Sequence, residues 1–127
     1  MSYKVLFVDD SKLARMAMAR VLNSLYPDWM HIDAANADEA VTLVRQAGAD
    51  IALIDFNMPG RDGLSLAAEL RESKPTMPVA VISANHQQEI VQRTHAVGAT
   101  FLAKPLTEQS LGKFLVEAVQ RLMVGTR

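Results

Sequence analysis

The chain has 127 residues, enough for one domain with a sizeable core; 50% are hydrophobic and 21% charged, the balance of an ordinary globular protein. A formal net charge of −1 with no basic run gives no surface for nucleic acid, and the absence of cysteine excludes disulfides, thiolate catalysis and cysteine-held metals. The apolar run at the start is too short for a signal peptide and none approaches the roughly 18 residues of a membrane span, so a cytoplasmic protein contacting neither membrane nor, directly, nucleic acid is expected.

The first element, Val5-Leu6-Phe7-Val8, is a continuous apolar run of the kind that forms a strand buried on both faces. Ser11 suits the N-cap of a helix carrying Ala14, Ala17, Met18, Val21, Leu22 and Leu25 on one side. Trp29, with Tyr26 and Pro27, is expected to cover the end of that helix. The segment from Met30 to Ala35, with Ile32 between His31 and Asp33, is a weaker strand suited to a sheet edge. Asn36 with Glu39 forms a capping-box pattern ahead of Ala40, Leu43, Val44 and Ala47, and Gly48 then stops the helix. A third strand is predicted at Ile51-Ala52-Leu53-Ile54, and Asp62 caps a third helix that buries Leu66, Ala67 and Leu70. The run Val79-Ala80-Val81-Ile82 gives the fourth strand, followed by a helix from about His86 to Val97 closed by Gly98. Thr100-Phe101-Leu102-Ala103 is the fifth strand. Thr107 opens the last helix, striped with Leu111, Phe114, Leu115, Ala118, Val119 and Leu122. The methionines, Met16 and Met18 among them, are expected to fill core space or start the chain.

Five strand–helix alternations imply an α/β fold with a parallel sheet and helices on both faces. Such sheets place functional residues beyond the carboxyl ends of their strands. The first strand ends in Asp9-Asp10, the third in Asp55, the fourth in Ser83 and the fifth in Lys104-Pro105. Like charges about 4 Å apart in a partly desolvated cleft cost on the order of 1–4 kcal/mol, so three converging carboxylates call for a divalent cation. An all-oxygen set suits Mg²⁺, Mn²⁺ or Ca²⁺ and not zinc or copper. Taken alone, Asp9 and Asp10 would read as caps of the next helix, Ser83 as a capping serine and Lys104 as a surface lysine. Their convergence on one edge favours instead a site for a phosphoryl group, with Lys104 supplying positive charge and Ser83 a hydroxyl donor.

Asp9-Asp10, then Asp55-Phe56-Asn57-Met58-Pro59-Gly60-Arg61-Asp62-Gly63, then Ser83-Ala84, then Lys104-Pro105, resembles the receiver domain of two-component response regulators, in its order and spacing from Lys4 to about Met123. The resemblance implies a single receiver domain over 1–127 with a flavodoxin-like, five-stranded doubly wound sheet of order 2-1-3-4-5. It makes Asp55 the phosphoacceptor, taking a phosphoryl group from a histidine kinase or phosphotransfer protein in a Mg²⁺-dependent reaction, with Mn²⁺ as an alternative ion. Asp10 would bind the ion directly and Asp9 directly or through water, with Asp55 and the backbone carbonyl of Asn57 as further ligands. Ser83 and Lys104 would bind phosphoryl oxygens, small Ala84 would leave the path open, and the bond preceding Pro105 would be cis. Phe101 would hold the aromatic switch position, where many relatives have tyrosine; without a hydroxyl, any inward swing is driven by apolar burial and the vacancy left as Ser83 moves. The bland alternative is that Phe101 is core. Output is expected through the face of the fourth helix, fifth strand and fifth helix, toward an unknown downstream protein. The chain would be a signalling switch whose only reactions are at its own aspartate.

His31, His86 and His95 do not form a metal set and read as solvated or capping residues. A magnesium-dependent aspartyl-phosphate phosphatase would carry a second acid after Asp55, where Phe56-Asn57 stand instead, and a cap for which there is no room. A flavodoxin-like electron carrier would need a phosphate loop where Asp9-Asp10 would repel it. A degenerate receiver would have lost one of the site residues. Met1 reads as a natural start, and Val124-Gly125-Thr126-Arg127 as a terminus or the first residues of a linker.

Overall fold

The computed structural model describes residues 2–125. Strands β1 (Lys4–Val8), β2 (Met30–Ala34), β3 (Ile51–Asp55), β4 (Val79–Ser83) and β5 (Thr100–Ala103) alternate with helices α1 (Lys12–Leu25), α2 (Ala37–Ala47), α3 (Gly63–Ser73), α4 (Gln88–Ala96) and α5 (Glu108–Gly125). All strand pairs are parallel, in the order β2-β1-β3-β4-β5. The order reverses at β1, which pairs with β2 on one side and β3 on the other.

The period of two in a strand sorts the apolar runs into two cores. Leu6, Val8, Ala52 and Ile54 face one side, where they meet Ala40 and Val44 of α2 and Leu66, Ala67 and Leu70 of α3. Val5, Phe7, Ile51 and Leu53 face the other, with Met18 and Leu22 of α1 and Leu111, Phe114, Leu115 and Ala118 of α5. β3 and β4 are buried along their whole lengths, whereas β2 is exposed at three of its five residues, as befits the edge. Among the described residues, no helix is long and apolar enough to cross a membrane.

The predicted caps are in place. Ser11 Oγ accepts from Ala14 N, Asn36 Oδ1 from Glu39 N and Asp62 Oδ1 from Ser65 N. Gly48 closes α2 with φ 73°, a left-handed conformation that disfavours any residue with a Cβ. Tyr26 is the C-cap of α1 and stacks on Trp29 at 4.1 Å. The structure departs from expectation in three places. α4 begins at Gln88 rather than about His86, because Asn85 Oδ1 takes the Gln87 N–H and holds that segment in a turn outside the helix. Three methionines are not core: Met16 lies two residues from buried Met18, on the opposite side of α1, and is 47% exposed, and Met30 on the edge strand and Met123 on α5 are exposed as well. Ala17 is exposed too, lining with Ala14 an open cleft instead of the core.

Candidate functional site

Strand register brings the site together. Val8 lies opposite Ile54, so the next residues, Asp9 and Asp55, leave β1 and β3 at the same level. Asp55 lies opposite Ile82 and Ser83 opposite Ala103, which sets Ser83 and Lys104 one step further along their strands. Backbone bonds continue past the strand ends, from Asp9 N to Ala34 O, Phe56 N to Ile82 O and Lys104 N to Ser83 O. The platform is therefore rigid where the side chains depart from it.

One carboxylate oxygen from each of Asp9, Asp10 and Asp55 lies within 4.8 Å of the others. Asp9 and Asp55 are buried, whereas Asp10 is exposed. Lys104 Nζ stands 3.0 Å from Asp55 Oδ1 and 3.9 Å from Asp9 Oδ2. Burial pushes the Asp9 carboxyl above its ordinary value of 3.8; Asp55 and Asp10 add to the rise, while the Ser11 N–H and Lys104 oppose it. Three acids against one lysine leave an excess of negative charge.

That excess fits a hard divalent cation. Asp9 Oδ1 accepts from Ser11 N at 2.9 Å, but Asp9 Oδ2 is buried without a hydrogen-bond partner. A buried carboxylate oxygen without a donor is costly, and here it faces two further carboxylates, a donor set of oxygens alone. Helix capping does not account for the acid pair: the N-cap of α1 is Ser11, Asp9 braces the Ser11 N–H, and Asp10 takes no part. Asn57, whose carbonyl was expected among the ligands, follows in the exposed turn after β3.

Ser83 is buried, and its Oγ accepts from Asn85 N at 3.0 Å, which leaves its own hydrogen for another acceptor. The Lys104–Pro105 bond is cis. Phe101 is half-buried on β5, with its ring edge-on to that of His86 at a centroid distance of 6.0 Å. Ala84 is exposed and lines an apolar cleft of about 460 Å³ with Ala14, Ala17, Met18, Pro105 and Leu106, bordered by Asp9 and Lys104. The three histidines are all exposed and lie outside the acid cluster.

Two residues that shape the site are not evident from the sequence. A Cβ on Gly63 would stand 2.4 Å from the Asp55 carbonyl oxygen, so only glycine lets the start of α3 pack on the end of β3. Its place in the Asp62-Gly63 motif was the available signal. Arg15, in the first turn of α1, donates from its guanidinium to the Asp9 carbonyl oxygen and pairs with Asp33 at 3.4 Å. No local pattern marks it.

The family model of the response regulator receiver domain matches residues 5–116. The chain is 32% identical over 124 residues to a glycerol metabolism activator of Pseudomonas putida, covering 97% of this chain and 55% of that protein. It is 38% identical over 118 residues to a positive alginate biosynthesis regulatory protein of Pseudomonas aeruginosa, covering 90% of this chain and 46% of the relative. The chain thus spans about half the length of these curated relatives. The fold is similar to that of the chemotaxis protein CheY4 of Vibrio cholerae, at a TM-score of 0.83 and 29% identity, over 93% of this chain and 99% of that one.

Proposed function

The chain belongs to the response regulator receiver domain family of two-component signalling, and from that premise we propose that Asp55 accepts a phosphoryl group from a histidine kinase or phosphotransfer protein. The observation that carries this reading is the Lys104 ammonium, 3.0 Å from a buried carboxylate at the end of the central strand. An oxygen of ionised Asp55 attacks the phosphorus of a phosphohistidine. The P–N bond breaks, its electron pair stays on the imidazole nitrogen, and an acyl phosphate forms. Lys104, which neutralises Asp55 beforehand, turns to a phosphoryl oxygen, and the Ser83 hydroxyl donates to another. Asp9, Asp10, Asp55 and the backbone carbonyl of Asn57 would hold Mg²⁺, or Mn²⁺ in its place. The ion supplies the positive charge that lets a phosphoryl group enter a cleft of carboxylates. The donor's side chain enters over the cleft between α1 and the turn after β5, beside Asp9 and Lys104.

The switch begins at the same hydroxyl. Ser83 Oγ holds the Asn85 N–H, and the next residue, His86, lies against the Phe101 ring. Drawing the hydroxyl toward a phosphoryl oxygen pulls on this turn and gives Phe101 room to move inward, altering the α4–β5–α5 face presented to a downstream protein. Without a hydroxyl on its ring, Phe101 is held inward by packing alone. In this reading the chain turns over no substrate besides its own phosphoryl group.

Intact-mass measurement with a small acyl phosphate and Mg²⁺ tests the reading. The parent should gain one phosphoryl group that hydroxylamine removes, and Asp55→Asn should fold but gain none. Stoichiometric labelling of Asp55→Asn would show that the acceptor lies elsewhere.

A further inference from the structure

Arg15 occupies the first turn of α1, where the helix dipole disfavours a cation, and no acid shares that turn. Its side chain is only 15% exposed. The guanidinium reaches back to donate to the carbonyl oxygen of Asp9, and its Nε faces Asp33 Oδ2 at 3.4 Å. Asp33 lies on β2 in register with Phe7 of β1, and its other oxygen meets His31 Nδ1 at 2.9 Å. One planar cation thus ties the helix start, the edge strand and the backbone of the first acid. The contact with Asp33 is an ion pair without a hydrogen bond, so the guanidinium donates to the Asp9 carbonyl while its delocalised charge faces the Asp33 carboxylate, which an ammonium at the same position does poorly.

The tie completes the restraint on Asp9. Its carbonyl is held by Arg15 and its Oδ1 by the Ser11 N–H, so the buried Oδ2 is the carboxylate oxygen left for a ligand. We propose that Arg15, anchored on Asp33, is a positioning residue for the magnesium site: it fixes the backbone from which Asp9 and Asp10 present their carboxylates. The inference rests on the magnesium reading above but concerns residues that would not touch the ion. It also opposes simple electrostatics. Removing a nearby positive charge should strengthen cation binding, whereas removing a clamp should weaken it.

Isothermal titration with Mg²⁺, far below the melting temperature, distinguishes the two. Arg15→Ala should raise the Mg²⁺ dissociation constant by about 10-fold, the low end of what loss of an outer partner costs a metal site. Arg15→Lys should recover part of the loss. Asp33→Asn, which removes the charge facing Arg15 and, besides that, touches only the exposed His31 contact, leaves Asp9 itself untouched and should move the constant in the same direction by a smaller factor. Amide shifts of the Asp9–Ser11 segment should change in both Arg15 variants before any metal is added. Binding as tight as the parent's, or tighter, in Arg15→Ala would overturn the clamp while leaving the magnesium reading intact. A parent that takes up no Mg²⁺ would overturn both. Should Arg15→Ala fail to fold, Asp33→Asn decides alone: unchanged affinity there overturns the proposal.

Discussion

Helices α2 and α4 are of similar length but held in different ways. α2 has a side-chain N-cap in Asn36, two acids in its first turn, an arginine in its last, and buried Ala37, Ala40 and Val44. α4 has matching terminal charges in Glu89, Arg93 and His95, but its N-cap Gln87 makes no side-chain cap bond, and it buries only Ile90 and Thr94, the latter spending its hydroxyl on the Ile90 carbonyl. Caps and buried apolar area each add stability locally, so the two helices differ in the free energy needed to shift them. The loosely held one follows β4, whose last residue is Ser83. The contrast teaches that the proposed switch would need no special hinge: the element left under-capped and sparsely packed is the one that costs least to shift.

The largest expected difference lies between the two helices' responses to a phosphoryl mimic. Beryllofluoride with Mg²⁺ should move the amide shifts of α4 and Phe101 well beyond those of α2. Shifts confined to the loops around Asp10, Asp55 and Lys104 would leave a phosphate acceptor without this switch. Next in size, Ile90→Ala should cost about 2 kcal/mol. Its effect should appear as faster amide exchange within α4 while the exchange of β3 stays slow; uniform acceleration would mean that α4 is integral to the global fold. Asn36→Ala should cost about 1 kcal/mol in denaturant melts, since α2 depends on that cap. The smallest effect is expected from Gln87→Asp, which offers α4 the side-chain cap that it lacks and adds to the negative charge of Glu89 at its start. It should add about 0.5 kcal/mol and reduce the beryllofluoride shifts in α4, by stabilising the resting position.

Much of this architecture is legible in the amino-acid sequence. Continuous apolar runs mark four strands, three of them inner and the fourth, β5, an edge buried only at Leu102, and Ser11, Asn36 and Asp62 mark helix starts, because these signals are local and each cap rests on a neighbour within four residues. The rule that sites form at strand ends gathered Asp9, Asp55, Ser83 and Lys104 on one edge. Register then set their separations, which no single strand encodes. What escaped were features created by partners distant in the chain or by the backbone's own bulk. Arg15 meets Asp33 only once β2 lies beside β1. Met16 carries the same side chain as Met18, and only its angle around α1 leaves it exposed. The start of α4 is ambiguous in the sequence because His86 and Gln87 are compatible with a helix, and the Asn85 side chain, taking the Gln87 N–H, keeps them out.

Gly63 has a mechanical consequence. With its backbone pressed against the Asp55 carbonyl and its N–H bonded to Phe56 O at 2.9 Å, the start of α3 works as an anvil behind the nucleophile. A blow struck at Asp55 is not absorbed on that side, where there is no slack to take it up. In the proposed switch the displacement would then go the other way, across β4 to the turn that carries Asn85 and His86. Direction in such a switch would be set by what cannot give: a missing methyl group behind Asp55 leaves the β4 side as the one free to move.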